Sequence, residues 1–279
     1  MSKFMSKREL RRLLTTPAFC ICVVLATDVL ASEQLTARGI MDEVAGRHDV
    51  DYEKGIEKMT LIDRSGNENI RTLRRYSGKQ DDGLFKYLLV FDSPKGIKGV
   101  AALTWENQSG NDDQWLFMPA AGNKLKRIAS GGRRDYFMGT DFSFEDLVSE
   151  QRDNFTYEIL DETDWEGSPS YVIEASPINK DIVTAYQKRH LTIRKDIFFV
   201  VQVDYFEQRS GKLLKRLVSD NLEQIEGSMW RANRSVMDNY KKKSKTRLET
   251  MERLFGSDSV PSKVFTKRYL TSKRHMKDS

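Results

Sequence analysis

Cysteine is almost absent from this chain, and its two copies, Cys20 and Cys22, both lie near the amino terminus. The segment around them begins with basic residues, continues with an apolar run and ends in a small-residue cleavage pattern before Ser32. This pattern predicts a secretory signal peptide over residues 1–31, with an uncleaved N-terminal anchor as the alternative. Removal of that segment would leave a chain with no disulfide and no thiol chemistry.

A large surplus of charge of one sign is also lacking outside this leader. The chain of 279 residues has a formal net charge of +5. Five basic and two acidic residues within 1–31 account for three of these charges, so the remainder carries a net charge of +2. A protein this close to neutrality gives no electrostatic case for nucleic-acid binding, and we expect no nucleic-acid partner.

Catalytic and metal-binding patterns are missing as well. The three histidines, His48, His190 and His275, are far apart, and no HExxH or G-x-S-x-G motif is present. The acidic pairs at 81–82 and 112–113 fall in predicted polar turns, and adjacent carboxylates are poorly placed to face a common cleft. We therefore predict no metal site, no cofactor and no enzymatic activity.

Two basic segments each allow two interpretations. In residues 130–134, Arg133 and Arg134 follow two glycines and could contact a lipid phosphate or a carboxylate. The alternative is a mobile hairpin tip with solvated arginines. The run 241–247 contains four lysines and one arginine, which suits either an anionic membrane surface or a solvated hairpin tip.

Hydrophobic periodicity predicts one early helix followed by many short strands. Residues 32–47 have helical spacing, with Ser32 as the cap. Further along the chain, residues 144–150 predict a helical turn capped by Ser143, and residues 180–189 predict a helix. A period of two predicts strands at 59–63, 70–76, 85–91, 99–105, 114–118, 155–160, 170–175, 190–195, 198–206, 212–219, 229–233 and 235–239.

These elements predict a single, mainly β domain over residues 32–279. About ten antiparallel strands make a sheet so wide that it should curl, and the few helices should cover one of its faces. Residues 246–255 fit either a helix or one more strand. The last seven residues are basic and polar, so we expect them to be frayed.

Aromatic residues are the most prominent feature that the chain does have. They are dense between Asp112 and Leu147, and many others fall on predicted strands. This pattern fits ordinary core packing, but a curved sheet with few helices also leaves room for a ligand cavity. In the second interpretation, residues 131–141 form a mobile rim. The candidate cavity-lining residues are Phe85, Tyr87, Leu89, Trp105, Trp115, Phe117, Phe137, Phe142 and Tyr205.

Several stretches resemble the outer-membrane lipoprotein-sorting proteins, the LolA-like family of bacterial envelopes. The likeness is strongest in DDQWLFMP and KLKRIASGGRRDYFMGTDFSFEDL, and it extends to MTLIDRSG, KGVAALTWE and GKLLKRLVSDNLEQIEGSMWRANRSVMDN. It covers most of the chain, roughly residues 35–270. The resemblance implies an incomplete, half-open antiparallel barrel closed by a few α-helices, with an apolar concave side that accepts acyl chains.

The resemblance also implies a function. It indicates a periplasmic carrier, of a divergent branch, that shuttles lipoproteins or other lipids between envelope membranes. Members of this branch often accompany inner-membrane exporters of the RND/MMPL type, so an accessory module that docks onto such an exporter without its own cargo is the alternative. We expect a monomer. No residue matches the arginine that locks the LolA lid, so no single binding residue is transferred.

Overall fold

Thirteen strands and two α-helices make up most of residues 35–277, the part of the chain that this computed structural model describes. The predicted signal peptide, residues 1–31, and Ser32 lie outside the described residues. The helices are α1 (Ala37–His48) and α2 (Lys267–Thr271). The strands are β1 (Tyr52–Ile62), β2 (Glu68–Lys79), β3 (Phe85–Ser93), β4 (Ala101–Trp105), β5 (Asp113–Met118), β6 (Lys124–Arg127), β7 (Phe155–Trp165), β8 (Ser168–Pro177), β9 (Tyr186–Arg194), β10 (Phe199–Glu207), β11 (Leu213–Glu226), β12 (Met229–Asn239) and β13 (Ser244–Phe255).

The strands form one open antiparallel sheet. Its order is β6-β5-β4-β3-β2-β1-β13-β12-β11-β10-β9-β8-β7, so consecutive strands lie side by side except β6 and β7, and β1 joins β13. That single long-range pairing links the first and last strands and places β6 and β7 at the two edges. The sheet is not closed into a barrel, which confirms the predicted mainly β, half-open fold.

Residues that alternate along each strand divide the sheet into two faces. The inner face carries Met59, Leu89 and Leu248 and is covered by α1 and by residues 137–147. The outer face of the first half of the sheet is covered by the C-terminal segment, residues 260–276. It carries Leu88, Leu103, Trp115 and Phe117, which pack against Val264, Phe265 and Leu270. The first half of the sheet therefore has apolar cover on both sides.

Helix α1 begins later than predicted. Its N-cap is Thr36, whose side chain accepts a hydrogen bond from Gly39 N at 3.1 Å, so the prediction of Ser32 as the cap was wrong. Ile40 and Met41 are buried against the sheet. Within residues 35–277 no helix is long and apolar enough to cross a membrane.

Four predicted elements need correction or completion. Residues 180–189 do not form a helix, because β9 begins at Tyr186, which is buried and donates through its hydroxyl to Asp146. Residues 246–255 belong to strand β13, and 229–239 form the single strand β12. Strand β1 is twice as long as the predicted 59–63. The prediction missed its first half because that half carries charged instead of apolar residues on the inner face.

The C-terminal residues are ordered against the sheet, so the prediction of a frayed tail was wrong as far as residue 277. His275 is fully buried, and its Nε2 lies 3.0 Å from Gly99 O. Arg74 donates a hydrogen bond of 2.7 Å to the His275 carbonyl, and the imidazole packs edge-on to Phe117. The docking of this segment could not be predicted from its basic composition, because the contacts that hold it involve backbone groups and one histidine.

Candidate functional site

A cavity of about 710 Å³ lies over the inner face of the central strands. Strands β1, β2, β12 and β13 form its floor, and Phe85 and Tyr87 of β3 lie beside that floor. Leu147 and Val148, from the segment that follows the sheet's first half, form an apolar part of its wall. The volume lies within the range of about 300–1,000 Å³ typical of ligand sites.

The floor of this larger cavity is charged. Glu53 accepts hydrogen bonds from Arg231 Nη2 at 2.9 Å and from Arg253 Nε at 3.0 Å. Arg75 Nη2 lies 3.3 Å from Glu57 Oε2. Strands β1, β2, β12 and β13 present these side chains to the same face of the sheet. Along β1, Glu53, Gly55 and Glu57 are two residues apart and therefore lie on one side. A wholly apolar concave side was therefore not the correct expectation for this region.

A second cavity, of about 320 Å³, adjoins the first. It lies between α1 and strands β9 to β11, and its apolar lining includes Met41, Leu191, Val200, Val203 and Leu217. Met41 belongs to α1, and the other four residues lie on the inner face of the second half of the sheet. Glu145, Asp146, Glu150 and Arg189 also line this cavity, so only its apolar part has the chemistry that an acyl chain requires.

Residues 144–150 separate the two cavities, and Asp146, Val148 and Glu150 line both. We call this segment the partition. A 3₁₀ turn, Phe144–Leu147, begins it, with Ser143 as the cap in a reciprocal capping box with Asp146. The predicted helical turn and its cap are therefore confirmed. Lys215 of β11 anchors the partition through an ion pair of 2.6 Å with Asp146.

Burial changes the pKa values of carboxyl groups around the partition. Burial, with a contribution from the charge of Asp146, raises the pKa of Glu145 to about 6. Burial also raises the pKa of Asp112 to about 6. Asp112 faces Arg133 at 3.6 Å, and the charge of this arginine lowers the pKa of Asp112 by less than the loss of hydration raises it. Burial likewise raises the pKa of the Tyr87 hydroxyl, which lines the larger cavity.

The structure brings only some of the predicted lining residues together. Phe85 and Tyr87 line the larger cavity, and Leu89, next on the same face, is buried in the core beside it. Tyr205 lines the smaller cavity. Phe142 is buried in the core formed by α1 and the second half of the sheet.

Trp105, Trp115 and Phe117 lie on the outer face, so predicting them in one cavity with Phe85 was wrong. Trp105 pairs with Lys86, and Leu103 pairs with Trp115, which sets them on the opposite side of the sheet from Phe85. The C-terminal segment covers them, and Trp105 Nε1 donates to Phe265 O at 2.8 Å.

Phe137 is part of the packed core instead of a mobile rim. It is fully buried, stacks on Phe91 at 5.5 Å and meets Phe144 edge-on at 5.4 Å. Thr140 and Asp141, at the end of the predicted rim 131–141, are also buried. The interpretation of this half of the rim as mobile does not fit these contacts.

The two arginines predicted to meet a headgroup have different environments. The Arg133 side chain is 11% exposed and faces Asp112, so it does not present its charge to solvent. Arg134 is exposed, and it lies beside Tyr136, Lys241 and Lys242 around a separate cavity of about 340 Å³. Neither arginine lines the two cavities of the inner face, and a headgroup contact at Arg134 stays a prediction.

The charged floor is the feature that sequence reasoning did not single out. The sequence signal for the charged floor was the two-residue spacing of Glu53, Gly55, Glu57 and Met59. This spacing places the charges on the same face as a buried methionine. In the described chain, no group of three or more His, Cys, Asp or Glu side chains is placed to hold a metal ion. The inner face therefore combines a charged floor in the larger cavity with apolar side chains in the smaller one.

Comparison with known proteins supports this fold. A family model whose description is "uncharacterized protein" matches residues 83–272, more than half of the chain. A domain from Vibrio parahaemolyticus, provisionally assigned as an outer membrane lipoprotein-sorting protein, superposes with a TM-score of 0.77 at 28% identity over 83% of this chain and 97% of that chain. No curated protein matches this sequence.

Two further solved structures share the fold at lower identity. A DUF1329 family protein from Desulfovibrio piger ATCC 29098 has a TM-score of 0.77 at 23% identity, covering 84% of this chain and 99% of that chain. A LolA superfamily protein from Nitrosomonas europaea has a TM-score of 0.66 at 20% identity, with the same coverages. With the family match, these likenesses show that the chain belongs to a divergent LolA-like family.

Proposed function

We propose that this protein is a non-enzymatic carrier that holds the acyl part of a lipid or a lipidated protein on its inner face. The observation that supports this most directly is the smaller cavity, in which the apolar side chains of Met41, Leu191, Val203 and Leu217 form one part of the lining beside charged residues, and which adjoins a larger polar cavity. An amphiphile has the same division into an apolar and a polar part. The Vibrio parahaemolyticus domain, provisionally assigned to lipoprotein sorting, agrees with this proposal.

The proposal includes a location and a domain division. Residues 1–31 act as a cleaved signal peptide, residues 32–279 form one carrier domain, and the protein works in the periplasm as a monomer. Transfer between the membranes of the envelope then requires both capture and release of the cargo.

Release limits how tightly the cavities can hold a chain. Burial of an acyl chain of about 16 carbons yields up to roughly 12 kcal/mol, which would make dissociation very slow. The partition offers a way to reduce this, because it lies between the cavities and can occupy apolar surface that the cargo would otherwise cover. A competing segment lowers the net affinity for the cargo by the energy of its own contacts.

The test is the lipid content of the protein purified from envelopes, measured by native mass spectrometry and by organic extraction. We expect bound acyl species in the wild type. Leu217→Trp should fill the smaller cavity and reduce the bound lipid. Leu160→Trp introduces the same side chain at an exposed position of edge strand β7 and is the matched control.

A wild-type protein that carries no lipid would contradict the carrier proposal. The competing function is an accessory module that docks onto an inner-membrane RND/MMPL-type exporter. It predicts co-purification with that exporter from solubilised membranes and no difference between the two tryptophan variants.

A further inference from the structure

A glycine opens a notch in the floor of the larger cavity. Gly55 of β1 lies directly opposite Arg75 of β2 on one side and Arg253 of β13 on the other. Neighbouring strands are about 4.8 Å apart, so the backbones that carry the two arginines lie roughly 10 Å apart across the glycine. Glu53 and Glu57 stand before and after it on the same face of β1.

Neither backbone conformation nor packing requires glycine at this position. A Cβ atom built on Gly55 would meet only the Glu57 side chain, with Oε1 at 3.6 Å, which is an ordinary contact. Gly55 also has no positive φ angle. Gly55 is buried and lines the larger cavity, so a larger side chain here would take up cavity space between the two arginines.

The arginines around the notch differ in how fully their donors are used. Arg253 donates to Glu53, to Asn233 at 3.0 Å and to the Ala232 carbonyl at 3.1 Å. Arg75 makes one bond, to Glu57, and among the described residues its buried Nε atom has no hydrogen-bond partner. A guanidinium has five N–H donors. The Arg75 side chain is 37% exposed, so it has donors to offer to a group in the cavity.

The charges around the notch favour an anion. At the notch itself three arginines (Arg75, Arg231 and Arg253) face two glutamates, Glu53 and Glu57, which leaves one net positive charge there, while the lining of the whole cavity carries six basic and six acidic side chains. Guanidinium groups bind phosphate and carboxylate in a fork geometry that combines charge with two hydrogen bonds. The apolar Phe85 and Tyr87 lie beside this charged group along the cavity.

We propose that the Gly55 notch binds the anionic headgroup, a phosphate or a carboxylate, of the amphiphile that the inner face carries. This inference rests on the carrier function and names the chemistry of its cargo. Arg75 makes the principal contact and Arg253 the second. The acyl chain extends from the notch past Val148 of the partition towards the smaller cavity.

The test compares three probes by isothermal titration calorimetry with the purified protein. Dodecyl phosphate and dodecyl maltoside, below their critical micelle concentrations, share a chain and differ in headgroup, and inorganic phosphate supplies the anion alone. We expect dodecyl phosphate to bind at least about tenfold more tightly than dodecyl maltoside. Inorganic phosphate should bind far more weakly than dodecyl phosphate, because it gains nothing from the apolar wall.

Two variants locate the headgroup. Gly55→Leu should fill the notch and Arg75→Gln should remove its donors, and each should abolish the preference for dodecyl phosphate while the affinity for dodecyl maltoside remains. Arg216→Gln removes an arginine whose ion pair with Asp204 is away from both cavities, and it should keep the preference. Testing two variants guards against loss of binding through misfolding of one.

The outcomes separate this inference from the carrier proposal. Equal affinity for the two detergents, or an undiminished preference in both notch variants, would overturn the headgroup assignment. Displacement of dodecyl phosphate by an equal concentration of inorganic phosphate would also overturn it, because the notch would then bind the free ion. Failure of the wild type to bind either detergent would instead count against the carrier function itself.

Discussion

Lys215 Nζ lies 2.6 Å from Asp146 Oδ2, and the two side chains are 1% and 4% exposed. The ammonium group also donates to the Asp141 carbonyl at 3.0 Å. Lys215→Met would leave Asp146 buried without a cation, so we expect it to lower the free energy of unfolding by about 3–5 kcal/mol. Urea denaturation followed by circular dichroism measures this change.

Lys245→Met is the matched control for this prediction. Lys245 pairs with Asp238 at 2.7 Å but is half exposed, so its loss should cost less than about 1 kcal/mol. Combining Lys215→Met with Asp146→Asn should recover part of the loss, because the uncompensated charge is removed. Equal destabilisation by the Lys215 and Lys245 variants would show that the buried pair does not hold the partition.

His275 connects the C-terminal segment to the outer face. His275→Ala removes the contact with Gly99 O and the packing against Phe117, so we expect a loss of about 2–4 kcal/mol in the free energy of unfolding. Lys277→Ala changes an exposed residue two positions further on and should have little effect. Similar unfolding midpoints for wild type and His275→Ala would restore the interpretation of a frayed tail.

The fold could be predicted where the alternation of apolar residues is strong. Strand β3 (Phe85–Ser93) and strand β10 (Phe199–Glu207) have continuous or alternating apolar residues and were placed nearly correctly. Strand β1 was cut short because its inner face is charged, and β13 was undecided because its apolar residues also fit helical spacing. The local periodicity of apolar residues indicates which residues are buried in a core. It therefore does not identify strand segments whose inner face lines a cavity.

The site could be predicted only in part, for a reason that involves distant residues. Phe85 and Trp105 both look like lining residues in the sequence, yet they lie on opposite faces. Which face is inner depends on where α1 and the C-terminal segment pack, and the segment around Phe265 is about 160 residues from Trp105. A strand's own sequence does not contain that information, and the family resemblance did not supply it residue by residue.

Asp112 should make the stability of the protein depend on pH. Burial raises its pKa from 3.8 to about 6 in the folded state, so folding favours the protonated carboxyl. Its contribution to the free energy of unfolding is therefore full below pH 4 and is lost as the pH rises through about 6, a change of roughly 1 kcal/mol between pH 5 and pH 7.

Asp112→Asn removes this titration, so the difference in unfolding free energy between wild type and variant should fall by that amount from pH 5 to pH 7. The comparison isolates Asp112 from other groups, including His48 and His275, whose pKa values burial lowers. Asp81→Asn, in an exposed turn, serves as the control. Parallel stability profiles for wild type and Asp112→Asn would contradict the assigned shift.

Phe137 distinguishes a packed segment from a mobile rim. Phe137 N donates to Phe142 O at 2.8 Å, and Asp141 N donates to Thr246 Oγ1 at 2.9 Å, so these amides should exchange with deuterium as slowly as those of neighbouring strands.

Phe137→Ala would remove the stacking on Phe91 and should lower the free energy of unfolding by about 3–5 kcal/mol. Arg134→Ala, exposed on the same segment, should change stability by no more than about 0.5 kcal/mol. Rapid exchange of both amides in the wild type would mean that residues 137–141 open independently of the sheet, and the partition they precede would then be a mobile cover for the cavities.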